Sequence, residues 1–71
     1  MDEFQLYKAV GQRIKTIREA KGLTQQGLAD FCNFEKSNMS RIETGRTNLT
    51  LKSLYTISEA LGVQIKQLVD F

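Results

Sequence analysis

Residues 36–46, KSNMSRIETGR, hold the densest set of hydrogen-bond donors in this 71-residue chain. Lys36, Arg41 and Arg46 are cations, Ser37, Ser40 and Thr44 carry hydroxyls, and Asn38 carries an amide. These groups suit binding rather than turnover. The chain has no histidine, which excludes Cys–His and Ser–His–Asp catalysis. Cys32 is the single cysteine, so an intramolecular disulfide and a zinc site are both excluded. There is no glycine-rich phosphate loop and no paired-carboxylate constellation. No enzymatic activity, metal, cofactor or small-molecule ligand is therefore expected.

Charge follows the same segment. Residues 1–35 balance five cations against five acids, whereas residues 36–52 set Lys36, Arg41, Arg46 and Lys52 against Glu43 alone. A local basic stretch on a nearly neutral chain points to an anionic partner at one surface.

Such side chains need an element to aim them. A helix from Glu35 or Lys36 to Thr44, stopped by Gly45, does so. At ~100° per residue, Met39 and Ile42 share one arc, with Glu35 at its edge and Glu43 beside it. Lys36, Ser37, Ser40, Arg41 and Thr44 fill an arc of roughly 140° that carries no acid. A helix about 10–12 Å across fits the major groove of B-DNA, about 12 Å wide. There Lys and Arg donate to guanine O6 and N7, and Ser bonds either partner. Lys36, Ser37 and Arg41 are the expected base contacts. Ser40 and Asn38 are secondary contacts, Asn38 from the flank.

The remaining elements are also helical, because no alternating strand pattern occurs. Phe4, Tyr7, Val10, Gly11, Ile14, Ile17 and Arg18 recur at helical spacing from Asp2 to Lys21. Thr24 caps a second helix from Gln25 to about Phe31. Thr50 caps a fourth, Leu51–Leu61, with Leu51, Leu54, Ile57 and Leu61 on one face. A short fifth runs from Ile65 to Val69. Gly22, Gly45 and Gly62 stand where helix C-caps are expected. The fold class is all-α: one compact five-helix domain over residues 1–71. Its second and third helices meet through a tight turn at Asn33, a residue type that tolerates left-handed backbone. Ala29 is small at their crossing, and Leu28, Cys32, Phe34, Met39 and Ile42 seal the joint.

With these residues in place, LTQQGLADFCNFEKSNMSRIETGR followed by LTLKSLYTISEALGV resembles the Xre family of bacterial and phage regulators, the Cro-and-repressor class of helix-turn-helix proteins. The likeness covers about residues 10–70, with TQ-x-x-LA, the turn and SRIE-x-G in one register. It implies a phage-repressor fold, operator binding as a dimer and regulation of transcription. It also implies that Arg18 and Glu43 pair inside the fold. Three positions depart from the family pattern. Gly27 stands where Glu often completes a capping box with Thr24, Glu35 where Ser or Thr often caps the third helix, and Leu49 where Pro is common.

Phosphate anchors are expected beside the reading helix. Gln25 opens the second helix, where free N–H groups and the helix dipole favour a phosphate; the family also uses this position for the backbone. Arg46, Thr47 and Asn48 offer a second anchor, and Lys52 a weaker one. Cys32 is expected as a small buried hydrophobe.

Energetics favour two copies. Specific binding must exceed non-specific binding by roughly 4–10 kcal/mol, while each good base contact supplies about 1–3 kcal/mol. Two helices related by a two-fold axis reach that range on a near-palindromic site, with half-sites about 34 Å apart. Ile65, Leu68, Val69 and Phe71 are the expected seam of the homodimer, unless they close the monomer core.

The expected partner is double-stranded DNA. The alternative is an antitoxin-like module whose main contact is a protein, with auxiliary DNA binding. No apolar run approaches the ~20 residues of a membrane span, and the acidic MDEF opening is unlike a secretory signal. A soluble, cytoplasmic protein is expected.

Overall fold

The computed structural model describes residues 1–71 as five helices without strands. They are α1 (Glu3–Ala20), α2 (Gln25–Cys32), α3 (Lys36–Glu43), α4 (Leu51–Leu61) and α5 (Ile65–Leu68). The all-α, five-helix reading of the sequence is thus what the chain adopts.

Each boundary has a local cause. Asp2 caps α1 by accepting from the Gln5 N–H at 2.8 Å, while the Gln5 side chain accepts from the Asp2 N–H at 2.8 Å. Asp2 and Gln5, three residues apart, thus form a reciprocal capping box. Thr24 accepts from the Gly27 N–H at 2.9 Å, and Thr50 from the Ser53 N–H at 3.0 Å. Glu35 makes no side-chain cap on α3. The turn between α2 and α3 is Asn33-Phe34-Glu35, one residue later than expected, since Cys32 stays helical. Asn33 takes the left-handed backbone there, at φ 58° and ψ 39°.

Four helices end alike. Past each end, two consecutive N–H groups turn back onto carbonyls of the last turn, the Schellman arrangement. The outer donors are Leu23, Phe34, Arg46 and Val63, which reach Arg18, Ala29, Arg41 and Ser58. Leu23, Phe34 and Val63 also pack against the core.

The core is small: Val10, Ile14, Leu28, Ala29, Cys32, Met39, Ile42, Ile57, Leu61 and Leu68. All five helices contribute to it. Three residues depart from the expected faces. Phe4 is 64% exposed because the first turn of α1 runs beyond the other helices' cover. Leu51 is 73% exposed at the start of α4, ahead of the stretch that meets the core. Leu68 is fully buried. A four-residue helix has one side chain to seat in the core, and in α5 it is Leu68. Leu68 is therefore core, and its expected place in a dimer seam is corrected here. Arg13 fixes α5 further, its Nε donating to the Gln67 carbonyl at 2.7 Å.

The tightest backbone approach is between α1 and the end of α3. A Cβ on Gly11 would collide with the main-chain carbonyl oxygens of Ile42 and Glu43. Gly45, at φ 74°, lies against the backbone of Lys8, one turn before Gly11 on α1. Gly11→Ala must push α1 off α3. The loss should be about 1–3 kcal/mol despite the better helix propensity of Ala. At roughly 4–8 °C per kcal/mol for a chain of this size, thermal unfolding should show it clearly. An unchanged midpoint would refute the close approach.

Candidate nucleic-acid interface

The turn at Asn33 and the packing beneath it set the direction of α3. The Phe34 N–H donates to the Ala29 carbonyl at 2.8 Å, and Ala29 is fully buried where α2 and α3 cross. Met39 and Ile42 turn inward from α3 at 0% and 2% exposure. The opposite arc is thereby presented to solvent. Lys36, Ser37 and Arg41 are exposed, and Asn38 and Ser40 are half-buried on the flanks. Thr44 is exposed, but its hydroxyl donates to the Ser40 carbonyl at 2.8 Å. Lys36, Ser37 and Arg41 make no side-chain hydrogen bond or ion pair within the chain; both ion pairs of the structure belong to Arg18. The first amides of α3 also lack helical acceptors, and Glu35 leaves them uncapped.

Behind this surface lies a buried polar cluster. Arg18 Nε donates to Glu43 Oε2 at 2.7 Å, and Nη2 to Oε1 at 3.1 Å. Arg18 Nη1 donates to the Leu23 carbonyl at 2.7 Å. Gln25 Nε2 donates to Glu43 Oε1 at 3.0 Å. One guanidinium thus joins α1, the α1–α2 turn and α3, with Gln25 adding α2. Hydrogen bonding to Glu43 raises the Arg18 pKa above its ordinary value, against the opposing effect of burial. The Glu43 charge is matched inside the fold.

Gln25 opens α2, as the sequence suggested. Its side chain is committed in part to Glu43, which leaves its backbone N–H and the second amide proton without an acceptor inside the chain. Arg46 is exposed in the position where the ends of α1, α2 and α4 carry the core-packed Leu23, Phe34 and Val63. That contrast was legible in the sequence only by comparing the helix ends with one another. Thr47 and Asn48 lie at the edge of a small hollow of about 140 Å3, between Leu6, Tyr7 and Val10 of α1 and Leu54 of α4. Thr47 is half-buried there and Asn48 is exposed. Lys52 is exposed in the first turn of α4.

Of the residues expected at a seam, Ile65 is half-buried, whereas Val69 and Phe71 are exposed at 42% and 59%. Tyr55 is exposed as well. Cys32 is buried, its thiol facing the Thr56 carbonyl at 4.0 Å, and desolvation raises its pKa. No group of His, Cys, Asp and Glu is arranged to hold a metal ion, and no helix is long and apolar enough to cross a membrane.

The helix-turn-helix family profile matches residues 14–68. The immunity repressor protein of Bacillus phage phi105 is 43% identical over 60 residues, 84% of this chain and 42% of that one. Control protein C.BamHI of Bacillus amyloliquefaciens is 42% identical over 62 residues, 86% of this chain and 76% of that one. The crystal structure of SinR, a master regulator for biofilm formation, in complex with DNA has a TM-score of 0.79 and 37% identity. It covers 86% of this chain and 98% of that one, and the Bacillus subtilis SinR sequence is likewise 37% identical. The chain thus spans about two fifths of the phage repressor and three quarters of the control protein.

The buried cluster yields a direct test. Removing one partner of a buried pair costs about 3–5 kcal/mol, because the other charge is stranded. A chain of this length has roughly 4–10 kcal/mol in all. Arg18→Ala should lower the thermal midpoint severely, while Arg18→Met with Glu43→Leu should recover most of it. If Arg18→Ala unfolds at the wild-type midpoint, the cluster does not hold the helices together.

Proposed function

The chain belongs to the helix-turn-helix family, of the Xre type found in phage repressors and control proteins, and from that membership we propose how it reads DNA. It is a DNA-binding transcriptional regulator rather than an enzyme. α3 enters the major groove, Lys36, Ser37 and Arg41 meet base edges, and Asn38 and Ser40 add contacts from its flanks. Gln25 and Arg46 hold the phosphates on either side, with Thr47 and Asn48 contributing from the loop after α3.

The observation that carries this reading is the outward arc of α3. Three donor side chains stand free of internal partners on a helix whose inner arc is fixed by Met39 and Ile42. Glu43, at the end of α3 beside that arc, is neutralised by Arg18 and so does not repel a phosphate. Arg46 supports the anchoring role, since a cation replaces the apolar plug used at the other helix ends. The single domain acts as a homodimer in the cytoplasm on a near-palindromic operator. Ile65, Val69 and Phe71 are the candidates for its seam, Leu68 being spent in the core.

Reading and anchoring separate experimentally. Selection from random duplex DNA should return a near-palindrome. On it, Arg41→Ala should cost about 1–3 kcal/mol and relax preference at one base pair per half-site. Arg46→Ala should weaken all sequences alike and make the salt dependence shallower by about 1 per half-site. The opposite assignment of effects would mean that α3 does not dock in this register.

Wild-type affinity should also fall steeply with salt, each neutralised phosphate contributing a slope of about −0.9. Affinity measured from low to moderate salt checks this. A flat dependence would return the chain to the protein-interaction reading.

A further inference from the structure

A polar groove lies beside the proposed reading surface, and neither base reading nor the anchors already named account for it. It measures about 560 Å3 and is bounded by Lys8, Gln12 and Lys15 of α1, Gln25 at the start of α2, and Glu43 and Thr44 at the end of α3. Ala9 is its one apolar lining residue, so the groove does not suit an apolar ligand. Two features set its charge. Glu43 lies at its margin but is held by Arg18 and Gln25. Lys8 and Lys15 are exposed and have no acidic partner, although Glu19 lies one turn beyond Lys15 on the same helix.

Position gives the second argument. Thr44, the C-cap of α3, continues its outward arc, and Gln25 carries a free backbone N–H at the start of an eight-residue helix. The groove therefore opens on the side where α3 presents its donors. Lys8 packs its backbone on Gly45, next to the exposed Arg46. Lys15 follows seven residues later, about 10 Å along the α1 axis. The cationic surface thus continues from the end of α3 along α1.

We infer that Lys8 and Lys15, with Gln12 between them, form a phosphate track that holds the DNA backbone flanking the base pairs read by α3. The partner is double-stranded DNA beyond the recognised half-site, and the track carries no base preference. This inference rests on the DNA-binding reading above. It enlarges the footprint from the helix-turn-helix unit to α1, whose lysines the sequence offered no reason to separate from ordinary solvated charge.

The test uses the full chain on its selected operator, in duplexes with short and with extended flanks, over a range of salt. Lys8→Gln with Lys15→Gln should bind the extended duplex about tenfold more weakly at low salt. Its salt slope should be shallower by about 2 per half-site, with the preferred sequence unchanged. On the short duplex the variant and the wild type should converge. Lys8→Arg with Lys15→Arg should keep the wild-type slope. Because Lys8 touches Gly45, Lys15→Gln alone provides a variant free of that packing and should lower the slope by about 1.

Wild-type affinity and slope in the charge-removed variants, or a changed base preference, would overturn the track while leaving DNA binding by α3 intact. A wild-type chain with no salt-dependent affinity for any duplex would overturn the DNA reading itself.

Discussion

The bidentate contact between Arg18 and Glu43 is the interaction on which the rest of the structure depends. It is buried, and the Leu23 carbonyl and the Gln25 amide add one further hydrogen bond to each partner. Ion pairs of this kind are weak sources of net stability, because desolvation offsets much of the attraction. Their effect here is geometric. A guanidinium fork accepts few arrangements of its partners, so α1, α2 and α3 are held in one relative placement. The core residues favour contact between these helices but are less particular about angle. The same pair neutralises the one carboxylate within α3, so the fixing of geometry and the sign of the surface potential share one cause.

Close packing between α1 and α3 adds a second constraint. Gly11 lets the α3 carbonyls approach the α1 backbone, and Gly45 does the same for Lys8 one turn earlier. A ten-residue core cannot absorb a displaced helix by repacking elsewhere. A chain this short buries only about 60% of its unfolded surface. The reading helix is itself only eight residues long, too short to be stable in isolation. Its direction is inherited wholly from what it packs against.

The departures from the family pattern fall on the supports rather than on the outward arc. Gly27 leaves Thr24 with half a capping box, and Glu35 leaves α3 without a side-chain cap. Missing caps cost about 0.5–2 kcal/mol each in other helices. At α3 the uncapped amides also remain available to an anion. Elsewhere Asp2 and Gln5 bond reciprocally, Thr50 accepts from the Ser53 N–H as Thr24 does from Gly27, and the Gln67 side chain accepts from the Gln64 N–H. Side-chain N-caps are thus present on α1, α2 and α4 and absent from α3, the helix proposed to gain partners on binding.

Much of this was written in the sequence. Helical periodicity, Thr24 and Thr50 before helices, Gly22, Gly45 and Gly62 after them, and Asn33 at the turn determine the order and the ends of the five helices. They do so because capping and left-handed backbone are properties of single residues. The polar arc of α3 was legible for the same reason, since opposite faces of one helix follow from spacing alone.

Other features depend on distances between residues far apart in the chain. Only the tertiary structure decided that Leu68 fills the core while Val69 and Phe71 stay outside, because apolar character does not say which side chain a short helix will seat. It alone drew Gln25 toward Glu43, left Phe4 and Leu51 in solvent, and brought Lys8 and Lys15 to one groove with Gln25 and Thr44. An exposed lysine acquires a direction only from the helices packed around it, and that packing is set by contacts such as Arg18–Glu43, which span 25 residues of sequence.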